Sequence, residues 1–261
     1  MVKLTIDGKT CRAQAGETVL QVARREDIDI PTLCHLEGLS IWGACRLCLV
    51  EVENSPKLQP ACALQVADGL SVQTHSPRLH EYRKLMLELL FAEGNHVCAV
   101  CVANGDCELQ DLAVEHGLDH VDLAYQFPTR PVDLTHPLFG FDANRCILCS
   151  RCVRTCDEVE GAHTWDIAGR GAEARVVTDM SQAWGSSISC TSCGKCVSSC
   201  PVGALFQKGS SVASVHHQPG VIEFLQQARG NQEWQTNPAS PQVTSPQTTS
   251  TQATSAQEDA P

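Results

Sequence analysis

The feature that most constrains this chain is a cysteine run that occurs twice. It reads Cys146-x-x-Cys149-x-x-Cys152-x-x-x-Cys156, and later Cys190-x-x-Cys193-x-x-Cys196-x-x-x-Cys200-Pro201. Three thiolates on one tight loop can cap three irons of a cubane, while the fourth swings away to a second cubane. One [4Fe–4S] cluster is therefore expected on Cys146, Cys149, Cys152 and Cys200, and another on Cys190, Cys193, Cys196 and Cys156. Paired Cys-x-x-Cys motifs also build zinc sites, and eight cysteines would fill two of them. Zinc requires neither a third cysteine at the same spacing nor a fourth after three more residues, so the doubled pattern favours iron.

The amino-terminal part has a different rhythm. Residues 2–7 alternate apolar and polar, Asp7-Gly8 offers a hairpin turn, and residues 9–14 form a second short strand. From Glu17 the period becomes helical, with Val19, Leu20, Val22 and Ala23 on one face. Strand, turn, strand and helix in this order suggest a β-grasp domain, the scaffold of plant-type [2Fe–2S] ferredoxins. Cys34, Cys45 and Cys48 follow in a loop containing Gly38 and Gly43, and Cys62 lies beyond a further strand over residues 48–53. Together they are a [2Fe–2S] ligand set. The first gap of ten residues departs from the plant-type spacing, and a four-cysteine zinc site is the competing reading.

Residues 77–93 read as an amphipathic helix, with Leu79, Tyr82, Leu85, Met86, Leu89 and Leu90 spaced for one face. After Gly94 come His96, Cys98, Cys101 and Cys107, enough for a third [4Fe–4S] cluster with one imidazole ligand. The alternative is a surface histidine beside three cysteines completed from elsewhere. A short helix over 109–116, a strand over 174–178 and a last short helix over 221–228 complete the ordered pattern. Gly169-Arg170-Gly171 superficially fits a dinucleotide fingerprint, but no helical pattern follows, so it reads as a turn. From Gln235 onward the chain is mostly Pro, Ser, Thr, Gln and Ala, which reads as a disordered tail.

The expected fold is therefore α+β in four parts. These are a [2Fe–2S] ferredoxin-like β-grasp domain (1–76), a small helical His/Cys cluster domain (77–135), a bacterial 2[4Fe–4S] ferredoxin-like domain (136–230) and the tail (231–261). Of the sixteen cysteines only Cys11 is left without a cluster. The chain opens without an apolar leader, which places so many thiols in a reducing, cytoplasmic compartment. Its best apolar stretch, residues 85–92, is far short of the roughly 18 residues that span a bilayer and contains Glu88. A net charge of −11 argues against a nucleic-acid partner.

This arrangement resembles the amino-terminal electron-transfer portion of the complex I large iron–sulfur subunit, of [FeFe] hydrogenases and of some formate dehydrogenases. Within that group it looks most like the diaphorase iron–sulfur subunit of bidirectional NAD(P)-linked [NiFe] hydrogenases. The segment Phe91 to Cys98 carries that likeness, as does a chain that stops soon after Cys200.

The resemblance implies an electron relay without a catalytic residue of its own. FMN and NAD(P) would sit on a partner diaphorase subunit, and the hydrogenase small and large subunits would lie on the other side. A further [2Fe–2S] subunit and ferredoxin are additional candidate partners. An equivalent place in a formate dehydrogenase or complex I-like assembly is the alternative within the class, and a zinc scaffold the alternative outside it. The broader family has His-x3-Cys where this chain has His96-x-Cys98, with Gly94 four residues before the cysteine. Either the loop brings His96 in, or another group ligates. Arg46, Arg145, Arg151, Arg154 and Lys195 flank the motifs, as counter-charges to the clusters or as surface charges facing a partner.

Overall fold

The computed structural model describes residues 1–210 and 220–231. The expected tail lies, from residue 232 on, outside the described residues.

The alternating opening forms β1 (Val2–Ile6), which buries Leu4 and Ile6 and pairs antiparallel with β2 (Lys9–Ala13). Asp7 and Gly8 both take positive φ, 49° and 81°, the two-residue turn whose twist suits a hairpin. Helix α1 (Val19–Arg25) begins at Thr18, whose side chain accepts from the Gln21 amide while Gln21 reaches back to the Thr18 amide. Losing such a cap costs about 1 kcal/mol. The buried stripe of α1 is Val19, Leu20, Val22 and Ala23, as its spacing requires.

Strands β3 (Leu49–Val52), β4 (Gln59–Pro60) and β5 (Ser71–Gln73) complete a five-stranded sheet of order β2-β1-β5-β3-β4. Strand β5 runs parallel to β1 and antiparallel to β3. Leu4, Ile6, Leu20, Val50 and Val72 share its core with the otherwise unassigned Cys11.

Helix α2 (Pro77–Glu93) starts where Ser76 caps Leu79 and Pro77 fills the first position, where no amide partner is needed. The face it buries differs from the expected one. Leu79, Arg83, Leu87 and Ala92 are buried, whereas Tyr82, Leu85 and Leu89 are exposed. Arg83 rotates the stripe. Its guanidinium donates to the carbonyls of Leu47 (3.1 Å), Leu49 (3.2 Å) and Thr74 (2.9 Å), pinning the helix to the sheet domain. A periodicity count of apolar residues is blind to a buried arginine satisfied by backbone carbonyls.

Beyond α3 (Glu108–Glu115), β6 (Val132–Asp133), β7 (Phe139–Asp142) and β10 (Leu205–Gln207) form an antiparallel sheet of order β10-β7-β6. Strands β8 (Trp165–Ala168) and β9 (Arg175–Thr178) form a hairpin, and the Gly169–Gly171 segment is the turn between them. Helix α4 (Arg151–Arg154) runs on into a π-helical turn, Thr155–Glu160, and α5 (Lys195–Ser199) lies against both.

Helix α6 (Gly220–Asn231) buries Ile222 against Leu36, Leu39 and Val159. No helix among the described residues is long and apolar enough to cross a membrane.

Candidate metal centres

The two ferredoxin-like loops are built alike. In the first, Leu148 and Ser150 hold positive φ (53° and 58°); in the second, Ser192 and Gly194 do so at the same offsets (57° and 72°). Each loop then enters a short helix, α4 or α5, at a basic residue. Left-handed residues at these offsets curl the backbone around a concavity and turn its amides inward.

Two voids follow from that curl. Cys146, Cys149, Cys152 and Cys200 line one, closed by Phe141, Ile147 and Leu205. Cys190, Cys193, Cys196 and Cys156 line another, closed by Phe139, Trp165 and Trp184. Cys156 reaches it from the π-helical turn, a distortion that re-aims a helical side chain.

A third void is lined by His96, Cys98, Cys101 and Cys107, with Gln110, Arg145 and Gly203 around them. His96 Nε2 is buried without a hydrogen-bond partner. Burial, followed by the field of Arg145, lowers its pKa to about 4, so the ring is neutral near pH 7, the form that ligates metal.

In the sheet domain the four cysteines meet as two hydrogen-bonded pairs. Cys45 bonds Cys34 and holds it down as the thiolate, and Cys48 does the same for Cys62. The donor of each pair is pushed up in turn.

Burial pushes the thiols of Cys146 and Cys149 up to about 12 and those of Cys107 and Cys200 up to about 11. Such thiols stay protonated unless a bound cation compensates the buried charge. Backbone and ring donors already face the sulfurs. Leu33 N–H reaches Cys45 (3.4 Å), Leu148 N–H reaches Cys146 (3.5 Å) and Thr164 N–H reaches Cys156 (3.3 Å). Trp184 Nε1–H donates to Cys190 at 3.3 Å. Nothing in the cysteine spacing singles out Thr164 or Trp184.

Of the five flanking basic residues, Arg151 and Arg154 are buried, and Arg145 is nearly so. Arg151 grips Glu108 through both guanidinium nitrogens (2.6 and 2.8 Å), tying α4 to α3 beside Cys107. Lys195 pairs with Glu160 on the matching side of the repeat. Arg46 alone is exposed.

The void of Cys146 is central. Arg154 donates to the carbonyls of both Cys34 (2.5 Å) and Cys149 (3.3 Å), linking it to the sheet-domain cysteines. Val202 lines both this void and the His96 void, and Arg145, which directly precedes Cys146, lines the His96 void. Cys152 and Cys156 share one helical run, which carries the link to the fourth site.

Comparison with known proteins finds three families along the chain. Residues 1–77 match a 2Fe-2S iron–sulfur cluster binding domain family. Residues 83–122 match the iron–sulfur binding region of NADH-ubiquinone oxidoreductase-G. Residues 136–206 match the ferredoxin-like domain of NADH-quinone oxidoreductase subunit 3.

The chain is 41% identical over 208 residues to the G 2 component of the NADH-quinone oxidoreductase of Rhizobium meliloti, covering 78% of this chain but only 24% of that protein. It is 36% identical over 208 residues to the gamma component of the NAD-reducing hydrogenase HoxS of Cupriavidus necator, covering 79% of this chain and 87% of that one. A chain in the crystal structure of an NAD+-reducing [NiFe]-hydrogenase in the H2-reduced state superposes with a TM-score of 0.76 at 37% identity. That match covers 80% of this chain and 88% of the other.

Fold and sites thus define an iron–sulfur protein with [2Fe–2S] and [4Fe–4S] binding domains in series. The chain belongs to the family of the gamma subunit of NAD-reducing hydrogenase, related to the corresponding region of NADH-ubiquinone oxidoreductase.

Proposed function

We propose that this chain is the electron-relay subunit of a NAD(P)-linked [NiFe] hydrogenase and carries one [2Fe–2S] and three [4Fe–4S] clusters. One observation carries the reading. Three voids, in three places, are each lined by one of the ligand sets that the cysteine spacing defines. Cys34, Cys45, Cys48 and Cys62 hold the [2Fe–2S] cluster. Cubanes are held by His96, Cys98, Cys101 and Cys107, by Cys146, Cys149, Cys152 and Cys200, and by Cys190, Cys193, Cys196 and Cys156. The doubled cysteine run, with a third cysteine at the same spacing and a fourth after three more residues, suits clusters better than zinc, which requires neither.

The clusters supply one-electron carriage, and no side chain here acts as acid, base or nucleophile. The chain's own residues hold the sulfurs, point N–H groups at them and place Arg145 and Arg154 beside the sites. A flavin- and NAD(P)-bearing diaphorase subunit lies on one side of the relay and the hydrogenase small and large subunits on the other. Ferredoxin and a further [2Fe–2S] subunit are additional partners. We place the assembly in the reducing cytoplasm, which suits sixteen free cysteines.

The test is reduction by NADH. In the purified complex NADH bleaches the iron–sulfur absorbance of this chain and H2 does the same from the other side, while NADH leaves the isolated chain unchanged. Reduction of the isolated chain by NADH would show a nucleotide site that this reading lacks. The 41% identity to a NADH-quinone oxidoreductase component favours a second reading, service in a complex I-like assembly. Co-purification with quinone-oxidoreductase subunits and no H2-dependent reduction would establish it instead.

A further inference from the structure

The His96 site contains two glycines whose backbones do not ask for glycine. Gly94 closes α2 with φ −94° and ψ 174°, a conformation open to any residue. Gly203 also lacks the positive φ that marks the chain's conformational glycines. Their reason lies in space.

A Cβ built on Gly94 would fall 2.6 Å from His96 Cδ2 and nearer still to Nε2. The imidazole stands where a side chain of residue 94 would start. Phe91 packs edge-on against the same ring at 5.5 Å, which limits its retreat. On the opposite wall, a Cβ on Gly203 would meet the Cys101 sulfur and lie 3.2 Å from Ala103 Cβ. Gly203 comes from the ferredoxin-like part, three residues after Cys200, and that segment is fixed there by the Glu108 amide donating to the Pro201 carbonyl (3.0 Å). At both glycines the nearest atoms an added methyl would displace, His96 Nε2 and the Cys101 sulfur, belong to side chains that line the void, with Ala103 the next neighbour at Gly203.

We propose that Gly94 and Gly203 are positioning residues of the His/Cys centre, each omitting a Cβ from the space a ligand side chain occupies. Gly94 admits the His96 imidazole and Gly203 admits the Cys101 sulfur. The inference rests on the reading of His96, Cys98, Cys101 and Cys107 as ligands of a [4Fe–4S] cluster. It also explains how a histidine only two residues before Cys98 reaches the void, since the residue that would block it has no side chain.

The experiment uses the full chain in its complex, purified anaerobically, as Gly94→Ala, Gly203→Ala, His96→Ala and the double variant Gly94→Ala/His96→Ala. Gly220→Ala, whose added methyl meets open space, is the control. Iron per chain, the electron paramagnetic resonance spectrum of the reduced protein and the thermal midpoint are measured for each. Gly94→Ala and Gly203→Ala are each expected to lose about four of about 14 irons and one cubane signal, the others staying in place. Because Gly94 acts only through the ring, the double variant is expected to match His96→Ala in all three measurements. Should Gly94→Ala fail to fold, the double variant is expected to recover the fold, and its failure to do so would overturn the proposal.

Full iron in Gly94→Ala beside a lost centre in His96→Ala overturns the role of Gly94 and leaves the ligand reading standing. Full iron in both overturns both. A double variant markedly worse than His96→Ala shows Gly94 acting on something other than the ring, which also overturns its role. Full iron and an unchanged spectrum in Gly203→Ala overturn the role of Gly203.

Discussion

His96 and Cys11 test the ligand assignment from opposite sides. The buried, neutral His96 ring leaves its Nε2 without a hydrogen-bond partner, so if it ligates, His96→Cys exchanges a neutral ligand for an anionic one. The cubane should persist while its midpoint potential falls by on the order of 100 mV, read by redox titration of its paramagnetic signal. An unchanged potential would mean that the imidazole does not touch the cluster. Cys11 is as buried as any cysteine of the proposed ligand sets, yet its sulfur is held by hairpin backbone, donating to the Lys9 carbonyl at 3.5 Å in the core of the sheet domain. Cys11→Ala should keep the full iron complement and cost about 1 kcal/mol of stability through lost packing. Cys62→Ala should lose two irons. Iron analysis beside thermal unfolding separates the two, and iron loss in Cys11→Ala would break the assignment of the other fifteen cysteines.

At the scale of elements, the join between the sheet domain and the ferredoxin-like repeat is made by α4. Arg154, at its end, donates to the carbonyls of Ser40 and Cys34 (2.5 Å each) and Cys149 (3.3 Å), and to the Ser150 hydroxyl (3.1 Å). Ser40 in turn donates to Glu158 (2.7 Å) on the π-helical turn. Arg154→Gln leaves carbonyls of two ligand-bearing loops unpaired and removes a buried charge near both sites. It should cost about 3 kcal/mol and slow electron transfer between the [2Fe–2S] site and the Cys146 site without loss of iron. Arg154→Lys keeps the charge but loses the fork and should fall between the two. Stopped-flow reduction followed cluster by cluster is the check, and a wild-type rate in Arg154→Gln would confine the residue to a structural role. This arginine also marks where reading the sequence stops. The cysteine loops, the hairpin at Asp7-Gly8 and the cap at Thr18 are legible because local spacing and turn chemistry determine them. The burial of Arg83 and Arg154 is not, because their partners include main-chain carbonyls 9 to 120 residues away, and a carbonyl carries no mark in the sequence. The buried stripe on α2 departs from its apolar spacing for the same reason, since Arg83 takes a position that apolar counting gives to Tyr82 or Leu85.

The whole molecule has two cores of different composition, and they should respond differently to loss of metal. The sheet-domain core is mostly aliphatic, with Leu4, Ile6, Val19, Leu20, Val50 and Val72 beside Cys48 and Cys62. The larger core, which joins α2, the His/Cys loop and the ferredoxin-like repeat, includes Cys107, Cys152, Cys156, Cys196 and Cys200 and encloses the three voids. With iron removed, these thiols lose the bonds that gather them around the three voids, and burial keeps Cys107, Cys146, Cys149 and Cys200 from ionising without a cation. Metal binding and folding are therefore coupled in the second core and only weakly in the first. The holoprotein should contain about 14 irons per chain, with matching acid-labile sulfide and little zinc. Iron removed anaerobically by a chelator should leave amide protection in β1, β2 and α1 and abolish it from Cys98 to Cys200. Hydrogen exchange followed by mass spectrometry reads this directly. Equal loss of protection in both regions would show that the sheet domain depends on its own cluster, and retention in both would show that packing alone holds the cysteine loops in place.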